Sequence, residues 1–185
     1  LISSVNFKSP LTFFEREKIL GIDGQRENSI LYKFLEYERN FGNSFNPSYF
    51  ETSFGKIEQE PGNEKFEQLE DIEVNNIKVR GKIDRIDIDF ENKLFRVVDY
   101  KLSGKKPTYQ DIIDGISLQV TLYVYAAKEI LKLRTQNEFN PAGADIYSLK
   151  FSDNEFGKSE VNLTGKKSNQ KLSEEDVYEL INETM

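Results

Sequence analysis

Asp84, Asp99 and Lys101 are the residues of this chain whose types and spacing could do phosphoryl chemistry. They sit in two runs, GKIDRIDID and LFRVVDYK, joined by the polar turn Glu91-Asn92-Lys93, which reads as a pair of β-strands. Two carboxylates on adjacent strands can chelate a divalent ion, with backbone carbonyls and water completing its shell. Such an ion polarises a phosphoryl oxygen, lowers the pKa of a bound water and orients an in-line attack. Lys101 falls on the same strand face as Asp99, one repeat of roughly 7 Å away. From there its amine could orient or deprotonate the attacking water, or offset charge in the transition state. A lone D-x-K is common, and its ordinary meaning is a solvated cross-strand ion pair.

The surroundings raise the stakes. By alternation Asp84 shares a face with Ile86, Ile88 and Phe90, while Asp87 and Asp89 take the other, and Arg85 points away from Asp84 to pair with Asp87 or Asp89. In the second run Phe95, Val97, Asp99 and Lys101 share one face, and Val98, Tyr100 and Leu102 the opposite one. A strand apolar on both faces is expected to be central and buried, where an unpaired charge is costly.

Composition bounds the chemistry. The 185 residues include 14 Phe and 9 Tyr but no Cys, Trp or His. A disulfide framework, a zinc ribbon and a Ser-His-Asp or Cys-His hydrolase are excluded within this chain. Any metal must be a hard cation on oxygen ligands, Mg²⁺ or Mn²⁺ first. The net charge of −7 argues against a generic nucleic-acid-coating protein. No run of about twenty apolar residues suggests a membrane span, and a cytosolic setting is the simplest expectation. A chain that opens on Leu1 is expected to be a piece of something longer.

The elements that must position these residues follow in order. Ser9-Pro10 is expected to open a helix to Leu20, and a second helix runs from Glu27 to Phe41 with Ile30, Leu31, Phe34, Leu35 and Phe41 as its buried stripe. Ser48–Phe54 reads as a strand, with Glu51 more structural than catalytic. Gly55–Glu70 reads as an acidic exposed loop, and Ile72–Val79 as a hairpin turning on Asn75-Asn76. Three or four consecutive antiparallel strands are expected between Tyr49 and Leu102, then a loop carrying Lys105 and Lys106. These two lysines could touch phosphates, though a lysine pair in a loop is more often solvated. One long helix, Tyr109 to Arg134, is expected to present Ile112, Ile116, Gln119, Tyr123, Ala126 and Ile130 as a single face. Gln119 is its one strongly polar member, and a buried amide there must find partners. A strand from Ala144 to Phe151, a polar hairpin or loop over Gly157–Gln170 and a short helix capped by Ser173 complete the chain. The expected layout is one α+β domain (α/β/α-like), a central mixed sheet flanked by helices. Residues 1–47 form a helical segment packed on it, 48–151 the core, and 152–185 a hairpin and helix extension.

GKIDRID, then VVDYKLSG, then LQVTLYVYA, with PAGADIYSLKF after them, together resemble the RecB/AddB-type nuclease domain of the PD-(D/E)XK superfamily. The resemblance covers Tyr49 to Phe151. It implies a restriction-endonuclease-like core and a Mg²⁺- or Mn²⁺-dependent deoxyribonuclease, exonucleolytic, acting on DNA. It further implies helicase domains in the same polypeptide or in a partner chain, and double-strand-break repair in the bacterial cytoplasm. It makes Asp84 and Asp99 metal ligands, the Tyr100 carbonyl a further ligand, and Lys101 the catalytic lysine. Gln119 and Tyr123 become helix residues that support the site or contact DNA. Many such domains carry an upstream helix with a metal-binding His or Glu. That helix is expected before Leu1, with Glu27, Glu36 or Glu38 as substitutes, or else the site is incomplete. The cysteines of an iron–sulfur cluster, found in some relatives of this type, are absent. Two rival readings stay open: a nuclease-like fold kept as a DNA-binding or scaffolding module, and an ordinary α+β domain with solvated charges.

Overall fold

A computed structural model describes residues 18–21, 25–55, 72–74, 76–102, 105–150, 155–165, 175–176 and 179–181. The chain divides into two compact units. One comprises Leu1–Gly42 with Leu149–Gly157, and the other Asn43–Ser148 with Lys158–Met185.

In the first unit residues 18–20 are helical, and the rest of the helix expected over residues 10–20 lies outside the described residues. A 3-10 turn at Arg26–Asn28 leads to α1, Ile30–Asn40, capped by the Ser29 hydroxyl, which accepts from the Tyr32 N–H at 3.0 Å. The expected stripe is only partly buried: Ile30 is covered, whereas Leu35 and Phe41 are 57% and 40% exposed. Phe41 falls outside the helical period because it is the C-cap. Packing here centres on Tyr37, which stacks on Phe41 at 5.2 Å and meets Phe156 edge-on at 6.4 Å.

The second unit is built on a five-stranded mixed sheet in the order β1-β4-β5-β6-β7. Its strands are β1 (Asn46–Phe54), β4 (Gly81–Asp89), β5 (Leu94–Lys101), β6 (Asn140–Ser148) and β7 (Gly157–Glu160). β1, β4 and β5 are antiparallel neighbours, and β6 runs parallel to β5. The hairpin β2 (Ile72–Val74) and β3 (Ile77–Val79) forms a separate two-stranded sheet. The strands between Tyr49 and Leu102 are therefore not one consecutive meander. Asn76 takes the left-handed conformation expected at the hairpin turn. The acidic loop expected at Gly55–Glu70 lies outside the described residues beyond Gly55.

The β4–β5 turn is set by Asp89, whose carboxylate accepts from the Asn92 backbone N–H at 2.9 Å and its side-chain amide at 2.8 Å. Parallel pairing of β5 with β6 needs a crossover, supplied by α2 (Tyr109–Ile113) and α3 (Gln119–Thr135). These two replace the single helix expected from Tyr109 to Arg134. Thr108 and Asp111 form a reciprocal capping box that starts α2. Gly115, at φ +71°, then ends it. The N–H of Gly115 reaches the Ile112 carbonyl and that of Ile116 the Asp111 carbonyl, the paired bonds of a Schellman motif. Ile116 consequently leaves the helix and is 75% exposed.

The buried stripe of α3 is Val120, Val124, Ala127 and Leu131, flanked by Ala126 and Ile130. It packs with Ile83, Ile86, Ile88, Phe95, Val97, Ala144 and Ile146 of the sheet. Gln119 and Tyr123 lie at the edge of that stripe rather than at its centre. β6 begins four residues before the expected Ala144 and stops at Ser148. Asn140 N–H donates to the Lys93 carbonyl at 2.9 Å, and the shift of register between Phe95 and Arg96 skips Ala142, next to Pro141. Gly157–Glu160, expected as hairpin or loop, is instead the edge strand β7. Residues 175–176 and 179–181 are helical, with Leu180 and Ile181 buried, and the Ser173 cap lies outside the described residues. Among the described residues no helix is long and apolar enough to cross a membrane.

Candidate active site where β4 parts from β5

Ladder pairing of β4 with β5 runs from Asp89↔Leu94 to Arg85↔Val98 and goes no further. Beyond that last pair Asp84 and Asp99 stand at the divergence of two central strands. The register Ile86↔Val97, Arg85↔Val98 carried one step on sets Asp84 opposite Asp99, next after Ile86 in the strand alternation. β1 keeps its register opposite Asp84, and its register shift lies between Pro47 and Tyr49. Glu51 stands between the pairs Phe50↔Arg85 and Thr52↔Ile83, with φ +50°, and its exposed carboxylate pairs with Lys82.

The Asp84 side chain turns toward β5, where Oδ2 accepts the backbone N–H of Tyr100 at 2.9 Å. In an extended strand the N–H and C=O of one residue point to the same side, so the Tyr100 carbonyl also lies on the Asp84 side. Asp99 is 3% exposed. Lys101 Nζ stands 2.8 Å from Asp99 Oδ2 as an ion pair, but off the angle of a hydrogen bond. This buried oxygen thus has no aligned donor among the described residues. Burial pushes the Asp99 carboxyl above its ordinary value. Lys101 opposes that rise, and the charge of Asp84 adds to it.

The start of α3 closes the site. Gln119 Nε2 donates to Asp99 Oδ1 at 3.4 Å and to the Tyr123 hydroxyl at 3.0 Å, while Gln119 Oε1 accepts from Lys101 Nζ at 3.4 Å. Tyr123 is held in turn by Phe54, edge-on at 5.9 Å. A Cβ at Gly81 would come within 2.7 Å of the Phe54 ring and 3.2 Å of Tyr123, so the glycine opening β4 permits this support.

Asp84, Asp99, Tyr100, Lys101, Gln119 and Tyr123 are thus brought together. Lys105 and Lys106 are exposed, and Lys106 donates to the Glu160 carbonyl at 2.8 Å. Glu27, Glu36 and Glu38 belong to the other unit. Among the described residues no three His, Cys, Asp or Glu side chains gather as a metal site. Even so, the donor set suits a hard divalent ion: two carboxylates converge, and one buried carboxylate oxygen lacks an aligned donor.

On the opposite side of these strands the sequence reading missed Lys158 and the Tyr100 hydroxyl. Alternation pairs Arg85 with Asp87 or Asp89, and the arginine does bind Asp87, through Nε and Nη2 at 2.5 and 2.7 Å. Lys158 of β7 joins at 3.2 Å from Asp87 Oδ2, and the Tyr100 hydroxyl accepts from Arg85 Nη1 at 3.1 Å. The signal for this cluster is an arginine two residues before an aspartate in the same strand, which alternation puts on one face. Lys158 lies 71 residues from Asp87 and carries none.

Comparison with known proteins places the chain among nucleases. An ATP-dependent helicase/deoxyribonuclease subunit of Clostridium novyi is 31% identical over 139 residues, covering 74% of this chain and 11% of that protein. Its counterpart in Lysinibacillus sphaericus is 36% identical over 107 residues, 54% of this chain and 8% of that one. In Lachnoclostridium phytofermentans the figures are 34% over 93 residues, 49% and 8%. The chain therefore spans about a tenth of the length of these relatives. The sequence profile of the PD-(D/E)XK nuclease superfamily matches residues 11–184. A match over nearly the whole length, on a mixed α+β sheet of the restriction-endonuclease-like type, means that the chain belongs to the PD-(D/E)XK nuclease superfamily.

Proposed function

We propose that this chain is the nuclease domain of a bacterial cytoplasmic helicase–nuclease. In this reading residues 48–151 form a divalent-metal-dependent core that hydrolyses DNA phosphodiesters from an end. The observation that carries the reading is the meeting of Asp84, Asp99, Lys101 and Gln119 where β4 parts from β5. Asp84, Asp99 and the Tyr100 carbonyl would hold Mg²⁺ or Mn²⁺, which when bound supplies Lewis-acid activation of the phosphoryl group and of a water.

The chain's own residues supply the rest. Lys101 keeps its ammonium at the edge of the carboxylates, able to orient the nucleophilic water and to offset charge on the phosphoryl oxygens. Gln119 bridges Asp99 and Lys101 and so holds both in register. Tyr123 orients that amide and, with Lys105, faces DNA in this reading. Lys106 is the weaker DNA contact, since its amine already caps Glu160. Helicase domains, in the same polypeptide or in a partner chain, would feed the strand. The relatives, which are helicase/deoxyribonuclease subunits, support this arrangement.

The test is cleavage of linear and of covalently closed circular DNA with Mn²⁺ or Mg²⁺, alongside Asp99→Ala and Lys101→Ala. Linear DNA should be degraded, closed circles spared, and each variant slowed about a thousandfold or more. A second reading, a nuclease-like module that binds DNA without cutting it, draws on the absence of a three-ligand group among the described residues. DNA binding with no cleavage by the wild-type chain would select that alternative.

A further inference from the structure

Two successive residues of β4 hold opposite ends of one residue of β5. Asp84 accepts the Tyr100 backbone N–H, and Arg85 donates to the Tyr100 hydroxyl. This happens just past the last ladder pair, Arg85↔Val98, where a strand otherwise loses its hold on its neighbour. The anchor is stiff, because Arg85 grips Asp87 through two bonds and Asp87 also takes Lys158. The Arg85 and Asp87 side chains are 2% exposed and that of Lys158 is 5% exposed. Tyr147 lies against the Tyr100 ring at 5.3 Å between centroids. Tyr100 is flanked by Asp99 and Lys101, so whatever places Tyr100 places both.

We propose that Arg85 is a positioning residue for the site: acting through the Tyr100 phenol, it sets the separation of the Asp84 and Asp99 carboxylates. The inference rests on the nuclease reading for its consequence, but not for its geometry. Groups that orient metal-binding carboxylates influence affinity without touching the ion. Asp84 and Asp99 repel each other, and unclamped strand ends would relax apart. The clamp therefore holds the two carboxylates close enough to share one cation.

Two variants of the whole chain test it, Tyr100→Phe and Arg85→Lys. The first removes only the hydroxyl and leaves the Tyr100 backbone in place. The second keeps the charge beside Asp87 but loses the planar fork. Amide exchange at Tyr100, read by NMR against Val98 inside the ladder, should be about tenfold faster in both variants. Mn²⁺ affinity by calorimetry should fall about tenfold. A purely structural role would shift thermal stability and leave the Tyr100-to-Val98 exchange ratio unchanged. A folded Tyr100→Phe with wild-type exchange at Tyr100 and wild-type Mn²⁺ affinity overturns the proposal. If the wild-type chain binds no Mn²⁺ and cuts no DNA, the nuclease reading falls. The exchange ratio then decides the clamp alone, and an unchanged ratio overturns it.

Discussion

Adjacent residues of the β4–β5 hairpin build two ion clusters of opposite character. Arg85, Asp87 and Lys158 form a closed one. Both Asp87 oxygens take cationic donors at 2.5–3.2 Å, and none of the three side chains exceeds 5% exposure. Asp84, Asp99 and Lys101 form an open one, in which Lys101 pairs with Asp99, Asp84 takes only the Tyr100 N–H among the bonds described, and Gln119 reaches Asp99 and Lys101 only at 3.4 Å. The Lys101 side chain stays 38% exposed. A buried ion pair with its bonds complete stiffens the fold, and breaking it leaves a stranded charge. Under-compensated carboxylates destabilise the fold slightly and retain capacity for a cation. The same strands thus carry a rigid frame on one side and the candidate site on the other.

The contrast breaks if the frame can be emptied without loss. Arg85→Met should destabilise the chain by about 3 kcal/mol or more in urea, since it withdraws the guanidinium from buried Asp87. A smaller effect, below that of an ordinary surface change, would show that the closed cluster is not the frame.

The opposite sign is expected at the site. Because the Asp99 pKa is raised in the fold, its proton is held more tightly folded than unfolded. The associated stability is complete at low pH and is lost as pH rises from the ordinary 3.8 through the raised folded value. Asp99→Asn should therefore stabilise the metal-free chain at neutral pH while removing any metal-dependent cleavage. Added Mn²⁺ should reverse the order by stabilising only the wild type. Thermal melts in chelator and in Mn²⁺ would read both.

The smallest effect sharpens the comparison with a third carboxylate. The Ser44 side chain, then the side chain and backbone of Asn92, lower the Asp89 pKa from 3.8 to about 2. Its contribution to stability is present above pH 3.8 and is lost as pH falls toward 2. Asn92→Ala should flatten that part of an acid-unfolding curve without altering cleavage at neutral pH.

Much of this arrangement was legible in the chain. The bounds of β4 and β5, the turn at Glu91–Lys93, the left-handed Asn76 and the place of Gln119 beside Asp99 all follow from alternation, turn chemistry and chain order. The break between α2 and α3 had a local signal too, in the Thr108–Asp111 box and Gly115. A helical period that continues through Ile116 hides it.

The sequence by itself determined which residues could bind a hard cation and which two strands would carry them, because side-chain type and strand alternation are properties of neighbours along the chain. Tertiary structure decided the rest. The early start of β6, the edge strand β7 and the Arg85–Asp87–Lys158 frame each depend on where distant segments meet. The openness of the site has the same origin: β4 stops pairing with β5 after Arg85, and only then can the Asp84 side chain, rather than a backbone carbonyl, take the Tyr100 N–H.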